Sequence, residues 1–294
     1  MSKTGLGSGE AFAQVGALTI CYETFGEKSD PPLLLIAGLG AQMILFEDDF
    51  CAALAARGFF VVRYDNRDIG RSSRIEWTPP TGPAGAFAAP YLLKDMAADA
   101  VGLMDALGIA SAHIVGASMG GMIAQELAIG WSARVRSLTS IMSTTGDPNL
   151  PPPGAEAAQV FTAPPPTTPE EYVEANVRAW LIFRGPGYPD DEIRDRIRAV
   201  RAVARAGFDP KGGQRQFLAV MASGSRKPAL AEIAAPTLVI HGADDPLVPL
   251  AAGEDTAASI PGARLVVLER MGHAMPIATW PRIIDEIVRI AGRV

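Results

Sequence analysis

Cysteine and histidine are both scarce in this sequence. Only two cysteines, Cys21 and Cys51, occur among 294 residues, so the chain is not expected to depend on a disulfide framework. Cys51 lies on a helical pattern and is interpreted as a small buried hydrophobic residue. The three histidines form no cluster with the cysteines, and we therefore expect neither a metal ion nor another cofactor.

Long apolar runs and basic clusters are also missing. No window approaches 18 consecutive apolar residues, which argues against a membrane-spanning helix. The first ten residues lack the apolar core of a signal peptide. The net charge is −6, and no group of Lys and Arg alternates with aromatic residues as in nucleic-acid-binding proteins. We therefore expect a cytoplasmic protein without membrane or nucleic-acid partners, and the sequence predicts no particular oligomeric state.

The sequence does contain a regular alternation of strand and helix patterns. Its 48% hydrophobic and 20% charged residues are typical of a globular protein with a sizeable core. From Pro32 to Met142, short apolar runs alternate with stretches of helical periodicity, and the alternation resumes at Pro236. This order predicts an α/β fold in which helices cover both faces of a mostly parallel sheet. Reactive residues in such sheets lie at the carboxyl ends of the strands.

The alternation stops in the middle of the chain. Eight prolines occur in residues 148–169, where we expect no regular structure. A capping box at Thr168–Glu171 then opens a predicted helix that reaches Phe183. A second helix is predicted to begin at Pro189, and a third covers residues 214–222. The middle of the chain is therefore predicted to be helical.

We interpret residues 144–226 as a helical cap inserted into a core domain that comprises residues 1–143 and 227–294. The second predicted cap helix is rich in arginine. We expect a solvated face paired with Asp191 and Asp195 rather than an anion-binding patch, and this face comprises arginines 194, 196, 198, 201 and 205.

The stretch from Ala112 to Ala128 contains a Gly-x-Ser-x-Gly pattern at residues 116–120, between a β-branched run and a helical pattern. This pattern is typical of a sharp strand-to-helix turn that exposes a nucleophilic serine. Only glycine fits at its first and last positions. Ser118 is therefore the candidate nucleophile, and the N–H of Met119 is a candidate donor to an oxyanion. The alternative is a bystander serine in a glycine-rich turn.

A serine hydroxyl needs a base to accept its proton. His113 precedes the serine on the same predicted strand, so it would lie at the wrong end of the sheet. His241 ends a strand and could lie near the site, but we interpret it as a packed strand residue. His273 follows a strand and lies between Gly272 and a nearby proline, in an exposed rigid turn. His273 is therefore the candidate base.

The base in turn needs a carboxylate that fixes its tautomer. Asp244 and Asp245 follow a predicted strand, and neighbouring side chains in an extended loop point in opposite directions. Only one of the two can therefore face the histidine. We choose Asp245 over Asp244 because Pro246 restrains it, and Asp147 is a third candidate.

The loop after the first parallel strand places glycines on both sides of Leu39, so its backbone can approach a ligand closely. The N–H of Leu39 is the second candidate oxyanion donor. Apolar side chains on the cap helices and near the site predict an apolar substrate pocket. Its candidate residues are Met43, Trp180, Phe183, Phe217, Met221 and Met275.

Five motifs give the chain a resemblance to a known family over almost its whole length. They are Ile36-Ala-Gly-Leu-Gly40, Tyr64-Asp-Asn-Arg-Asp-Ile-Gly-Arg-Ser72, Gly116-Ala-Ser-Met-Gly-Gly121, Gly242-Ala-Asp-Asp-Pro-Leu-Val-Pro249 and Gly272-His273. With them the chain resembles the α/β-hydrolase superfamily. Within it, the chain is similar to the small serine esterases related to aclacinomycin methylesterase and enol-lactone hydrolases.

The resemblance implies a nucleophile, acid and base at Ser118, Asp245 and His273, with oxyanion amides at Leu39 and Met119. In one respect this chain departs from the pattern. Many members have His-Gly where it has Ala37-Gly38, and in those members the histidine orders the oxyanion loop.

The expected function is that of a cofactor-free serine esterase. Its substrate would be a small-molecule carboxylic ester, such as the methyl ester of an apolar acid, cleaved through an acyl-enzyme. Lactone hydrolysis, carbon–carbon bond hydrolysis and perhydrolysis on the same triad are alternatives, and a ligand receptor that keeps the triad is a further one. Dehalogenation and epoxide hydrolysis are disfavoured because they need a carboxylate in place of Ser118.

Overall fold

The computed structural model describes residues 7–80, 88–188 and 191–292. Within these ranges, eight strands form one sheet in the order β1-β2-β4-β3-β5-β6-β7-β8. The strand pairs β1–β2 and β2–β4 are antiparallel, and the remaining neighbours are parallel. The strands are β1 Ala11–Val15, β2 Leu18–Phe25, β3 Pro32–Ile36, β4 Phe60–Tyr64, β5 Ala112–Ala117, β6 Val135–Ile141, β7 Thr237–Gly242 and β8 Arg264–Leu268.

Helices cover the sheet and fill the middle of the chain, and the predicted α/β-hydrolase fold is confirmed. Short 3₁₀ turns occur at Met43–Leu45, Ser132–Arg134 and Ile277–Thr279. The α-helices are α1 Asp48–Ala55, α2 Leu93–Ala106, α3 Met119–Gly130, α4 Ala155–Thr162, α5 Pro169–Phe183, α6 Glu192–Ala206, α7 Pro210–Ser223, α8 Lys227–Leu230, α9 Leu250–Ser259 and α10 Trp280–Ala291.

The apolar side chains of β3 pack on both faces of the sheet. Successive strand residues point to opposite faces. Leu34 and Ile36 therefore pack in one core cluster with residues of α2 and α3. Leu33 and Leu35 pack in a second cluster with residues of α1 and α10. All four leucine and isoleucine side chains are buried, as expected for a central parallel strand.

Five helices, α4 to α8, lie between β6 and β7, and we call the first four of them, α4 to α7, the helical segment. The expectation that residues 148–169 contain no regular structure is wrong for α4. The prolines of this stretch flank α4 on both sides, and the helix itself contains no proline and several good helix formers. The predicted cap at Thr168 is present, since its side chain accepts a hydrogen bond from the Glu171 N–H. Residues 189–190, where the next helix was predicted to begin, lie outside the described residues.

The arginine face of α6 agrees with the expectation in one pair, since Arg198 contacts Asp195 at 2.8 Å, and differs from it elsewhere. Arg194 contacts Glu47 at 2.9 Å, Arg201 contacts Asp48 at 3.2 Å and Arg205 contacts Asp65 at 2.8 Å. These three acids belong to the core rather than to the helix itself, so these three arginines are directed toward the core, whereas Arg196 pairs with Glu174 and Glu192 at the surface. The apolar face is turned outward instead, and Ile193 is 75% exposed.

The tight turn before α3 gives a direct test of the fold. A Cβ atom on Gly120 would lie 2.0 Å from the backbone oxygen of Ile36, whereas a Cβ on Gly130 of the same helix meets nothing within 4 Å. We expect Gly120→Ala to lower the free energy of unfolding by about 3 kcal/mol or more, because backbone atoms must move. Gly130→Ala should raise it by about 0.5–1 kcal/mol. Urea unfolding of both variants measures the difference, and equal effects would contradict the observed packing.

Candidate active site

Ser118 lies at the junction of β5 and α3, in the turn that its flanking glycines allow. Its backbone has φ +55° and ψ −122°, a region that residues other than glycine rarely adopt. Such a conformation costs on the order of 1–3 kcal/mol and persists only where the surroundings impose it. Here the Ser118 N–H donates to the Ile141 carbonyl at 2.9 Å. The serine is thereby held at the carboxyl end of the sheet.

His273 lies in the loop after β8 and reaches the serine. Its Nε2 atom is 2.9 Å from Ser118 Oγ. The His273 N–H donates to the carbonyl of Phe183, the last residue of α5, at 2.6 Å. The two rings also meet edge to face with centroids 5.9 Å apart. The helical segment therefore supports the position of this histidine.

Asp245 lies in the loop after β7 and contacts the other nitrogen of the ring. Its Oδ2 atom is 2.8 Å from His273 Nδ1, and its Oδ1 accepts hydrogen bonds from the N–H groups of Leu247 and Val248 at 2.9 and 2.8 Å. Asp245 is buried, whereas Asp244 is exposed. The alternation of side chains thus directs Asp245, and not its neighbour, toward the histidine.

The third candidate acid lies elsewhere. Asp147 is bound to the ammonium group of Lys227 at 2.8 Å, and the hydrogen bond from that lysine holds the pKa of Asp147 below its usual value. The structure therefore brings together Ser118, His273 and Asp245, and it leaves Asp147 out.

The two remaining histidines have other surroundings. His113 Nδ1 is 2.8 Å from Ser137 Oγ, and burial lowers the pKa of His113 to about 4. His241 is fully buried, its Nε2 donates to the Val248 carbonyl at 2.7 Å, and burial lowers its pKa. His241 is also 3.6 Å from Asp245 Oδ2. The strand pattern did not indicate this support of the Asp245 loop.

The loop of residues 38–40, which we call the oxyanion loop, lies against the serine. A Cβ atom on Gly38 would be 3.2 Å from Ser118 Cβ, so only a glycine allows this approach without displacement. Met119 begins α3, and the first N–H groups of a helix have no acceptor within it. Both segments that carry the candidate oxyanion amides, those of Leu39 and Met119, therefore adjoin Ser118.

A cavity of about 950 Å³ opens beside Ser118 and His273. Four of the six predicted pocket residues line it: Trp180, Phe183, Phe217 and Met275. Phe161 of α4, which the sequence analysis missed because it placed no helix there, also lines the cavity. Its ring stacks between those of Phe183 and Phe217, with centroid distances of 6.3 and 6.1 Å.

The predictions for Met43 and Met221 are wrong. Met43 is 1% exposed and packs in a separate cluster with Cys21, because its 3₁₀ turn directs the side chain away from the cavity. Met221 lies one turn after Phe217 on α7 but is 63% exposed. Helical spacing indicates that Met221 belongs to the apolar face of α7, but it does not indicate which part of that face is exposed to solvent.

One wall of the otherwise apolar cavity is charged. Glu47 accepts hydrogen bonds from Arg194 at 2.9 Å and from Arg198 at 3.2 Å. The guanidinium of Arg198 lies 4.5 Å from the ring centroid of Trp180, and that of Arg194 lies 4.8 Å from the ring centroid of Trp280. These contacts are cation–π interactions. The charges are thus paired with each other and stacked on aromatic rings.

Within residues 7–80, 88–188 and 191–292, no group of three or more His, Cys, Asp or Glu side chains is arranged to hold a metal ion. No helix there has the length and hydropathy needed to cross a membrane. Cys21 and Cys51 are both buried free thiols.

Comparison with known proteins agrees with this architecture. The model of the alpha/beta hydrolase family matches residues 33–286. Rhodomycin D methylesterase of Streptomyces peucetius is 34% identical over 281 residues, which cover 89% of this chain and 91% of that protein.

Solved structures show the same fold. A hydrolase from Pseudomonas aeruginosa PA01 has a TM-score of 0.74 at 26% identity and covers 97% of this chain and 99% of its own. The enol-lactonase from Burkholderia xenovorans LB400 has a TM-score of 0.74 at 24% identity, and the match covers 96% of this chain and 100% of the enol-lactonase chain. With a family model that spans most of its length and a methylesterase among its relatives, this chain belongs to the alpha/beta hydrolase family.

Proposed function

We propose that the protein is a serine hydrolase that cleaves a carboxylic ester through an acyl-enzyme. The observation that carries the proposal is the line of hydrogen bonds from Ser118 Oγ to His273 Nε2 at 2.9 Å and from His273 Nδ1 to Asp245 Oδ2 at 2.8 Å. A nucleophile, a base and an orienting acid in this order form the minimal machinery of acyl transfer.

The carboxylate decides which nitrogen of the histidine acts as base. Asp245 has no proton to donate when ionised, so it accepts the Nδ1–H of His273. The Nε2 atom is then left with a lone pair directed at the Ser118 hydroxyl. Since Asp245 Oδ1 is already bound by two backbone N–H groups, the carboxylate is held for this contact.

In the first step, Ser118 Oγ attacks the ester carbonyl and His273 takes the hydroxyl proton. The carbonyl oxygen becomes an oxyanion, which the amides of Leu39 and Met119 stabilise. The intermediate collapses when the bond to the alkoxy oxygen breaks, and His273 gives its proton to the leaving alcohol. Water then attacks the acyl-enzyme with the same base, releasing the acid and restoring Ser118.

The cavity favours a bulky apolar acyl group. Its wall of Phe161, Phe183, Phe217 and Trp180 offers aromatic surface near the serine, and ligand sites of this kind bind mainly through apolar contacts. The similarity to a methylesterase at 34% identity supports a small alcohol as the leaving group. We therefore propose an apolar acid esterified with methanol as the substrate class.

We also propose that residues 144–226 act as a cap over the site. Helices α4, α5 and α7 of this part supply the aromatic wall, so the substrate would be enclosed between the cap and the sheet. Enclosure excludes bulk water during acylation. Lactone hydrolysis, carbon–carbon bond hydrolysis and perhydrolysis would use the same residues, and a substrate panel separates these reactions.

The first test is the removal of the nucleophile. Ser118→Ala should lower kcat for a methyl ester by about 10⁴–10⁶-fold and leave the unfolding free energy close to that of the wild type. Reaction of the wild type with a fluorophosphonate, followed by peptide mass spectrometry, should locate the adduct on Ser118. An adduct on another residue, or near-normal turnover by the variant, would refute the proposal. A wild type that binds esters without turnover would identify a receptor.

The two adjacent acids provide a matched pair. Asp245→Asn should reduce kcat by up to about 10⁴-fold, because the amide favours the wrong tautomer of His273. Asp244→Asn should leave kcat within about threefold of the wild type, since Asp244 is exposed and does not meet the histidine. Steady-state kinetics of both variants on one ester decides the matter, and the opposite ranking would assign the acid to Asp244.

The size of the acyl group is tested with a series of methyl esters of increasing chain length. Each buried CH₂ contributes about 0.8 kcal/mol, so kcat/KM should rise roughly fourfold per carbon until the cavity is filled. Methyl acetate is the reference, and a lactone and a methyl carbamate complete the panel. A steady decline from acetate upward would be incompatible with the proposed pocket.

A further inference from the structure

The oxyanion loop is a tight turn, in which the Ala41 N–H donates to the Gly38 carbonyl at 3.2 Å. Leu39 stands between two glycines, and Gly40 has φ +70°. Glycine loses more conformational freedom on folding than any other residue, so such a loop needs outside contacts to hold one conformation. Just before the loop, the Asn66 amide donates to the Ala37 carbonyl at 3.0 Å. A further contact to the loop itself comes from a distant part of the chain.

Gln216 of α7 supplies such a contact from the helical segment. The Gly40 N–H donates to Gln216 Oε1 at 2.8 Å, and Gln216 Nε2 donates to the Arg67 carbonyl at 3.0 Å. The amide orientation is determined, because an N–H group needs an acceptor and a carbonyl needs a donor. Gln216 is fully buried. Its side chain thus joins the oxyanion loop to the loop after β4.

Two further contacts join α7 to the loop after β4. Arg215 donates to Asp68 Oδ1 at 2.7 Å, and a Cβ atom on Gly212 would lie 2.1 Å from the Asp68 carbonyl oxygen. The helix therefore approaches the loop backbone to backbone, with an ion pair beside the contact. Gln216 cannot reach Gly40 unless α7 rests in this place.

We infer that Gln216 is a positioning residue for the oxyanion hole and that the hole is complete only when α7 is docked on the core. The inference rests on the proposed ester hydrolysis. The Gly40 N–H lies in the peptide plane that follows the one carrying the Leu39 N–H. When Gln216 holds the peptide plane of the Gly40 N–H, the preceding plane, which carries the Leu39 N–H, is restricted as well. The Leu39 amide is then directed at the oxyanion position before substrate binds. The helical segment then contributes to catalysis as well as to enclosure.

The test compares three variants of the full-length protein. Gln216→Leu removes both hydrogen bonds at similar volume, Gln216→Glu keeps an oxygen for the Gly40 N–H, and Gln159→Leu makes the same chemical change at an exposed position on α4. Loss of one oxyanion donor typically costs 10²–10³-fold in kcat, and a misdirected donor should cost less. We expect Gln216→Leu to lower kcat about 10–100-fold with KM within about threefold, and Gln216→Glu to recover most of kcat. Gln159→Leu should match the wild type.

A second readout does not depend on turnover. Hydrogen–deuterium exchange, followed by mass spectrometry of a peptide spanning residues 36–42, should be faster in Gln216→Leu than in the wild type or in Gln159→Leu. Unchanged exchange together with unchanged kcat would overturn the inference, and so would equal losses of kcat in the Leu and Glu variants. Failure of the proposed function has a different signature, since the wild type would then show no turnover that Ser118→Ala abolishes. In that case the exchange rates alone decide whether Gln216 holds the loop.

Discussion

The whole site depends on a backbone-to-backbone contact at the start of α3. Gly120 lies so close to the end of β3 that a Cβ atom would meet the Ile36 carbonyl at 2.0 Å, and a Cβ on Gly116 would meet the Gly120 carbonyl at 2.1 Å. This approach forces the chain to turn within two residues, which explains the strained backbone of Ser118. It also places the serine beside the oxyanion loop. Without two glycines at this spacing, Ser118 and the loop that carries the proposed oxyanion amide of Leu39 would lie apart.

The parts of the site that sequence could predict are those set by local geometry and by the parallel sheet. The turn at Ser118 follows from its glycines and from the change of periodicity. The loops of Asp245 and His273 follow β7 and β8, and parallel strands present their carboxyl ends at one edge. The alternation of side chains limits the choice to one of two adjacent acids, and the restraint by Pro246 favours Asp245, which is the acid that contacts His273. For each of these residues, the sequence pattern within about ten positions was enough to predict its place at the edge of the sheet.

The helical segment was predicted less well, because its contacts join residues far apart in the chain. Arg194 and Glu47 are 147 positions apart, and Gln216 and Gly40 are 176 positions apart. Helical periodicity separates an apolar face from a charged one, but it does not say which face meets the core. On α6 the charged face is turned inward because acidic core residues lie opposite it. The same ambiguity explains why Phe217 lines the cavity while Met221 is exposed.

The helical segment contacts both the loop that carries His273 and the oxyanion loop. At the end of α5, the carbonyls of Phe183 and Arg184 accept hydrogen bonds from the N–H groups of His273 and Gly272. On α7, Gln216 accepts from Gly40 in the oxyanion loop. Any displacement that opened the cavity between α5 and α7 would therefore loosen the base, the oxyanion loop or both. In the proposed mechanism, a substrate that keeps the helices docked would retain these contacts, so its enclosure and the organisation of the proposed reacting groups would depend on the same hydrogen bonds.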